Sequence, residues 1–143
     1  MIDYLIKIGL SLLLSSLIGS ERERNDKPAG LRTIMSICLG ATLVVIFSLE
    51  LSKTIKLDFD IMRAIAYYLV AIGFVGGGII GKDKRNKTEG ITTASILLPV
   101  TLTGFFCGLG IYEMAITTAL CIYGILMLKY VKIKFEGWKN DKS

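Results

Sequence analysis

The charged residues of this sequence fall in short clusters that are separated by long uncharged runs. Each run is close to the ~20 residues that an α-helix needs to cross about 30 Å of hydrocarbon. Because lipid offers no hydrogen-bond partner to backbone N–H and C=O groups, each run must be helical. The sequence therefore predicts an all-α, polytopic membrane protein, a bundle of five transmembrane helices. The predicted spans are Ile2–Ser20, Thr33–Phe47 (extended to Leu51 for full length), Ala64–Ile80, Gly90–Leu109 and Met114–Leu128.

Lysine and arginine are concentrated in alternate connections, which predicts the orientation of the bundle. The connection between the fourth and fifth runs has neither residue. We therefore expect the N-terminus outside and the C-terminus in the cytoplasm. Residues 1–131 form the predicted transmembrane domain, and residues 132–143 a short basic tail that lies on the inner surface or is disordered. The basic residues of the three inner segments are Arg22, Arg24, Lys27 and Arg32; Lys82, Lys84, Arg85 and Lys87; and Lys129, Lys132, Lys134, Lys139 and Lys142, against Lys53, Lys56 and Arg63 outside.

Several function classes lack the residues they need. The net charge of +5 serves topology, so we expect no nucleic acid partner. The chain has no histidine, and Cys38, Cys107 and Cys121 lie in apolar runs, where small packing residues are expected rather than a zinc site. No nucleophile–base pair is evident, so we expect no enzyme. No Asp, Glu, Lys, Arg or His lies near the middle of a span, whereas proton-coupled exporters usually need such a group as their relay.

Small residues recur four positions apart, which places them on one face of a helix. In the third span they are Gly73, Gly77 and Gly81, with Gly76 and Gly78 adding room. We interpret these ladders as packing faces, and the glycine-dense third span alternatively as the lining of a small site. On the packing interpretation, Gly77→Leu should destabilise the fold more than Val75→Leu. The other ladders are Ser11, Ser15 and Gly19; Ser36 and Gly40; and Gly104 and Gly108.

The fourth span also carries a polar stripe. Pro99 has no N–H, so the carbonyl of Ser95 loses its helical partner. Hydroxyl groups beside a free carbonyl either bind a cation or water, or bond their own backbone and neighbouring helices. Both interpretations remain open. The stripe comprises Thr92, Ser95, Pro99, Thr103 and Cys107.

The segment GSERERNDKPAGLRT, residues 19–33, mixes both charges where the first helix leaves the lipid. A topology signal needs only Lys and Arg, so Glu21 and Glu23 require another explanation. They either pair with arginines, with Arg22 and Arg32 as candidates, or bind a divalent cation such as Mg²⁺ through their oxygens. Pro28 and Gly30 predict a sharp turn into the second helix. Asp60 is expected to cap the third helix and to pair with Arg63.

Taken together, these segments resemble the MgtC/SapB family of bacterial inner-membrane proteins. The resemblance runs from GSERERNDKPAGLRT through SICLGA (36–41), Asp60–Arg63, GFVGGGII (73–80) and GITTAS (90–95) to CGLGIYEMAI (107–116). It implies a multi-pass plasma-membrane protein involved in magnesium homeostasis and growth at low magnesium. Some relatives act in virulence and restrain the membrane ATP synthase. The matching functional positions are Glu21, Arg22, Lys27, Gly30, Arg32, Asp60, Arg63, Gly73, Gly76 and Cys107.

The sequence departs from the family pattern at Glu89, where a basic residue is common, and at Tyr67, where a glutamine is common. We expect the soluble C-terminal domain of the longer, virulence-type members to be missing, which puts ATP synthase restraint in doubt.

Two function hypotheses follow. In the first, the chain is a non-enzymatic regulator or interaction protein in the membrane; in the second, it is a transporter or channel for Mg²⁺ or another small solute. Expected partners are the lipid bilayer, with anionic lipids at the cytoplasmic face, a membrane protein and a second copy of the chain. A flux assay in liposomes with a Mg²⁺-sensitive dye would separate the two hypotheses.

The topology prediction can be tested by cysteine labelling. In a cysteine-free background, Thr54→Cys should react with an impermeant thiol reagent in intact cells, and Lys84→Cys should react only after the membrane is opened. Labelling of position 84 in intact cells would overturn the predicted orientation.

Overall fold

Five α-helices make up most of the chain, as predicted. The computed structural model describes residues 1–55, 60–82 and 86–140, with the side chains of residue 55 and of 129–140 left out. Four basic residues of the topology prediction therefore lie outside the described residues: Lys56, Lys84, Arg85 and Lys142. The helices are α1 (Ile2–Arg24), α2 (Leu31–Ile55), α3 (Ile61–Ile79), α4 (Ile91–Leu109) and α5 (Tyr112–Asn140). Between α3 and α4 lie two short strands of two residues each, β1 (Gly81–Lys82) and β2 (Thr88–Glu89), which pair antiparallel as a hairpin.

Four of these helices, α1 to α4, are long and apolar enough to cross a membrane. The apolar part of α5 covers Tyr112–Leu128, but the helix itself has 29 residues and continues to Asn140. Residues 132–140 therefore extend α5 instead of following it as a separate tail. The physical reason is that this stretch has no proline and is rich in lysine, which is compatible with a helix. The orientation of the bundle in the membrane stays a prediction.

Helix α4 is the centre of the bundle, and it contacts all four other helices. More than half of its apolar window is buried (56%), against 11% for α3. The main core forms around Leu97 and Val100 of α4, with Ile18 of α1 and Ile34 of α2. Its central position makes α4 the element that fixes where the ends of the other helices lie.

The α2–α4 contact depends on two glycines of α4. A Cβ atom at Gly108 would lie 2.7 Å from the Val45 Cβ, and one at Gly104 would collide with the carbonyl of Cys38. The Thr42 hydroxyl of α2 donates to the Gly104 carbonyl at 2.9 Å. Close backbone approach of this kind is how helices associate in lipid, where no hydrophobic drive exists between them. The predicted Gly104–Gly108 ladder is confirmed.

The ladder of α1 is also confirmed. Ser11, Ser15 and Gly19 are buried, and a Cβ at Gly19 would lie 2.8 Å from the Leu31 Cα. In α2, by contrast, Ser36 is exposed.

The packing ladder predicted for α3 is wrong within the single chain. Among the described residues, a Cβ atom at Gly73 or Gly77 would meet no neighbouring atom within 4 Å, whereas one at Gly76 would lie 3.6 Å from the Ala94 Cβ. The buried side chain of this helix, Ile72, lies on the same side as Gly76. Five glycines in nine residues offer more than one four-residue spacing, so the pattern alone could not select the buried face.

Gly104→Ala should lower the melting temperature in detergent far more than Gly73→Ala. The added methyl at position 104 must displace the α2 backbone, an overpacking cost of about 1–3 kcal/mol. At position 73 it enters open space and improves helix propensity by up to about 1 kcal/mol. Equal melting temperatures for the two variants would contradict the α2–α4 packing argument.

Candidate functional site

The mixed-charge segment of residues 19–33 folds at the end of the bundle where α1 ends and α4 begins. Glu21 and Arg22 occupy the last turns of α1 and are almost fully buried, at 6% and 4% exposure. Charged side chains are seldom buried to this degree without a structural or functional reason. These two residues are therefore the centre of the candidate site.

Both side chains are held by polar neighbours. The Arg22 Nη2 donates to the Thr93 Oγ1 in the first turn of α4 at 2.5 Å. The Asn25 Nδ2 donates to the Glu21 Oε1 at 2.9 Å and to the Glu21 carbonyl at 2.8 Å. The bond to Thr93 ties the end of α1 to the start of α4, and the bonds from Asn25 orient the Glu21 carboxylate.

The ion pair between Glu21 and Arg22 is loose. Their closest atoms, Arg22 Nη1 and Glu21 Oε2, are 3.9 Å apart, beyond hydrogen-bond distance. Among the described residues, neither the Glu21 Oε2 nor the Arg22 Nε has a hydrogen-bond partner, although both are buried. A buried unpaired acceptor or donor costs about 1–3 kcal/mol. The buried pair thus keeps one acceptor and one donor without a hydrogen-bond partner among the described residues.

The Glu23 carboxylate bonds the backbone at the start of α2. Its Oε2 accepts a hydrogen bond from the Leu31 N–H at 2.8 Å and so caps α2. A Cβ at Gly30 would lie 3.1 Å from that oxygen, which explains the glycine. Asp26 takes a left-handed conformation (φ 49°), and the Lys27 N–H closes the end of α1 on the Arg22 carbonyl at 3.1 Å. The sharp turn predicted at residues 28–30 connects the two helices.

A cavity of about 760 Å³ opens beside the buried pair. Its walls are the end of α1, the turn that follows, β2, the first turn of α4 and one turn of α5. The charged side chains that line it have both signs: Glu21, Asp26 and Glu89 are acidic, and Arg22 and Lys27 are basic.

The charged residues that the sequence singles out, Glu21, Arg22, Glu23, Lys27, Arg32, Asp60 and Arg63, do not all lie at one place. Arg32 is exposed, and the ion pairs of the described chain include none between Arg32 and Glu21. Asp60 and Arg63 lie at the start of α3, separate from the cavity. The Asp60 Oδ1 accepts from the Arg63 N–H at 3.1 Å, and its Oδ2 is 3.5 Å from the Arg63 Nε, so the predicted cap and pair are confirmed.

The two glutamates suggested as metal ligands have separate partners, Asn25 for Glu21 and the α2 N-terminus for Glu23. Over the part of the chain that the structure describes, no group of three or more His, Cys, Asp or Glu side chains is placed to hold a metal ion. Magnesium binding by Glu21 and Glu23 stays a prediction.

The residues of the polar stripe of α4 differ in their exposure. Thr92 and Ser95 are exposed, whereas Thr103 and Cys107 are buried. The Ser95 hydroxyl donates to the Ile91 carbonyl at 2.9 Å and the Thr103 hydroxyl to the Pro99 carbonyl at 3.0 Å. The hydroxyls therefore bond their own helix, which was one of the two interpretations.

Comparison with known proteins agrees with the resemblance. The sequence model of the MgtC family matches residues 8–134. The chain belongs to the MgtC family.

Its curated relatives in that family are longer. Protein SapB of Bacillus subtilis is 30% identical over 140 residues, covering 95% of this chain and 57% of SapB. Protein MgtC of Salmonella typhimurium is 32% identical over 123 residues (85% and 50%), and protein MgtC of Brucella abortus is 35% identical over 115 residues (80% and 46%). The chain spans about half the length of these relatives. No solved structure matches it.

Two site residues of this MgtC-family chain do not stand out in the sequence. Thr93, the acceptor for Arg22, lies beside Thr92, whose spacing to Pro99 made it the predicted site residue. Asn25, the partner of Glu21, lies four residues after it, a spacing that puts side chains on one helix face. The four-residue spacing could therefore have identified Asn25 as a partner of Glu21 from the sequence. The sequence gives no such indication for Thr93, because its burial depends on how α4 is rotated in the bundle.

Thr93→Val should lower the melting temperature in detergent more than Thr92→Val. Valine keeps the shape of threonine but leaves the Arg22 Nη2 without its buried acceptor, at a cost of about 1–3 kcal/mol. Position 92 is exposed and provides the matched control. If both variants melt together, the Arg22–Thr93 bond does not stabilise the site.

Proposed function

We propose that the chain is a non-enzymatic regulator or interaction protein of the bacterial plasma membrane, acting in magnesium homeostasis and growth at low magnesium. Membership of the MgtC family supports this proposal. The segment that carries much of the resemblance, residues 19–33, is also the segment that builds the buried charged site.

The observation that carries the proposal is the buried Glu21–Arg22 pair with its two unpaired atoms beside a cavity. The positive-inside rule needs basic residues in exposed loops, and a buried carboxylate adds nothing to it. Removing two charges from water costs more than a loose pair at 3.9 Å returns. The pair is therefore better explained by a role in recognition than by anchoring.

A regulator fits the distribution of polar groups better than a transporter does. Asp, Glu, Lys and Arg side chains lie towards the ends of the helices, and none lies in the middle of α1 to α4 or of the apolar part of α5. The polar stripe of α4, on which the transport hypothesis depended, is divided between exposed and buried positions. We infer that the chain acts through partners: a membrane protein or a second copy, with anionic lipids at the basic, cytoplasmic face.

The test is growth at low magnesium of a strain that lacks its own family member and produces Glu21→Gln. Glutamine keeps the shape of the side chain and removes its charge, so the variant should not support growth. Glu50→Gln, the same change at the opposite end of the bundle, is the control and should support growth as the unchanged chain does. Growth is compared at equal amounts of membrane-inserted protein, measured by immunoblotting. Full growth of the Glu21→Gln strain would refute the proposal.

A further inference from the structure

One wall of the cavity is electropositive because α4 begins there. Gly90 has no side chain to cap the helix, and the first helical hydrogen bond runs from the Ala94 N–H to the Gly90 carbonyl at 2.8 Å. The N–H groups of Ile91, Thr92 and Thr93 therefore have no partner within the helix. All three residues line the cavity, where the helix dipole adds partial positive charge. The buried Arg22 guanidinium adds a full charge to the same wall.

Acidic side chains also line the cavity. Glu21 lies near the end of α1, where the dipole of that helix is negative, and Asp26 follows in the turn. Glu89 of β2 also lines the cavity. The cavity is thus lined by groups of both signs, with Lys27 and Arg22 as its basic side chains.

The two buried atoms without hydrogen-bond partners are likewise one donor and one acceptor. The Arg22 Nε is a donor that lacks an acceptor, and the Glu21 Oε2 is an acceptor that lacks a donor. A ligand that satisfies both needs an acceptor for the guanidinium and a donor for the carboxylate, and the two hydrogen bonds are strongest when the acceptor is anionic and the donor is cationic.

A simple ion does not meet this requirement. Inorganic phosphate would suit the start of α4 but would also face three carboxylates. A divalent cation would suit those carboxylates but would face the Arg22 guanidinium, and the described chain holds no group of three acidic ligands placed for a metal. A zwitterion carries one group of each charge and therefore suits both the acidic and the basic groups of the cavity.

The rim of the cavity is apolar on one side. Ile125 lies in the apolar part of α5 and is 63% exposed, so in a bilayer it faces lipid. The exposed Ile91 of α4 lies on the same cavity. A ligand can therefore place a polar group between the charged walls while its hydrocarbon stays in the bilayer beside α5.

We propose that this cavity binds a phosphate ester that bears a primary ammonium group, as the headgroup of a phospholipid of the phosphatidylethanolamine class. The phosphate lies at the start of α4 and accepts from Arg22, and the ammonium donates to Glu21. The inference rests on the proposed function, because it names the ligand of the same site.

The experiment measures the melting temperature of the purified full chain in detergent with added short-chain lipids. Phosphatidylethanolamine should stabilise the chain at concentrations about tenfold lower than phosphatidylcholine, whose quaternary ammonium has no N–H to donate, since hydrogen bonds to charged groups are worth about that factor. Phosphatidylglycerol, which has no ammonium, should also be weaker. Free phosphoethanolamine is the soluble arm: stabilisation equal to that by the lipid supports the zwitterion site and assigns it a soluble ligand.

Glu21→Gln should abolish the preference for phosphatidylethanolamine, and Glu50→Gln should keep it. Equal shifts with all three lipids in the unchanged chain would overturn the proposal. So would a preference that survives Glu21→Gln, or stabilisation by MgCl₂ alone that Glu21→Gln removes. The outcome is separate from the growth test: lipid selectivity with normal growth of the Glu21→Gln strain refutes the regulatory function and leaves the site, and the reverse result refutes the site alone.

Discussion

Helices α2 and α4 approach each other so closely that Gly104 and Gly108 leave no room for side chains. The contact is stabilised by dispersion and by the hydrogen bond from Thr42 to the Gly104 carbonyl, because lipid supplies no hydrophobic drive between helices. The other helices then pack around α4, which contacts each of them. The position of α4 along the bundle axis is thereby fixed, and with it the depth at which its first turn meets the end of α1.

The site depends on that depth. Gly90, at φ 89°, turns the chain from the hairpin into α4, and a Cβ there would collide with the Ile79 carbonyl. This corner brings Thr93 to the Arg22 guanidinium. On the other side of the site, the Glu23 carboxylate caps the start of α2, next to Gly30. The loops are therefore part of the site, and a sliding motion of α4 against α2 would separate the charges from their partners.

The sequence predicted the number and approximate bounds of the helices because span length depends on the bilayer and on backbone hydrogen bonding alone. It also placed Glu21, Arg22 and Glu23 at a helix end and identified the Gly104–Gly108 face. It did not separate Glu21, which is buried, from Glu23, which caps α2, since two residues of one type at one helix end differ only in the direction each faces. The choice of Gly77 over Gly76 failed for the same reason. Helix rotation is set by packing between helices, and a repeat of small residues leaves it undetermined.

The looseness of the buried ion pair is itself informative. An arginine and a glutamate in a bidentate arrangement would satisfy each other and present no free atom to a third group. Here Thr93 holds one end of the guanidinium and Asn25 holds one carboxylate oxygen, so the charges are kept 3.9 Å apart. These two hydrogen bonds orient the guanidinium and the carboxylate, and one buried atom of each group has no partner among the described residues. A buried donor and a buried acceptor without partners cost stability, and a ligand that supplied both partners would recover that cost. On the proposed function, binding in the cavity would therefore change the stability of this end of the bundle, which is the physical property that a regulator needs.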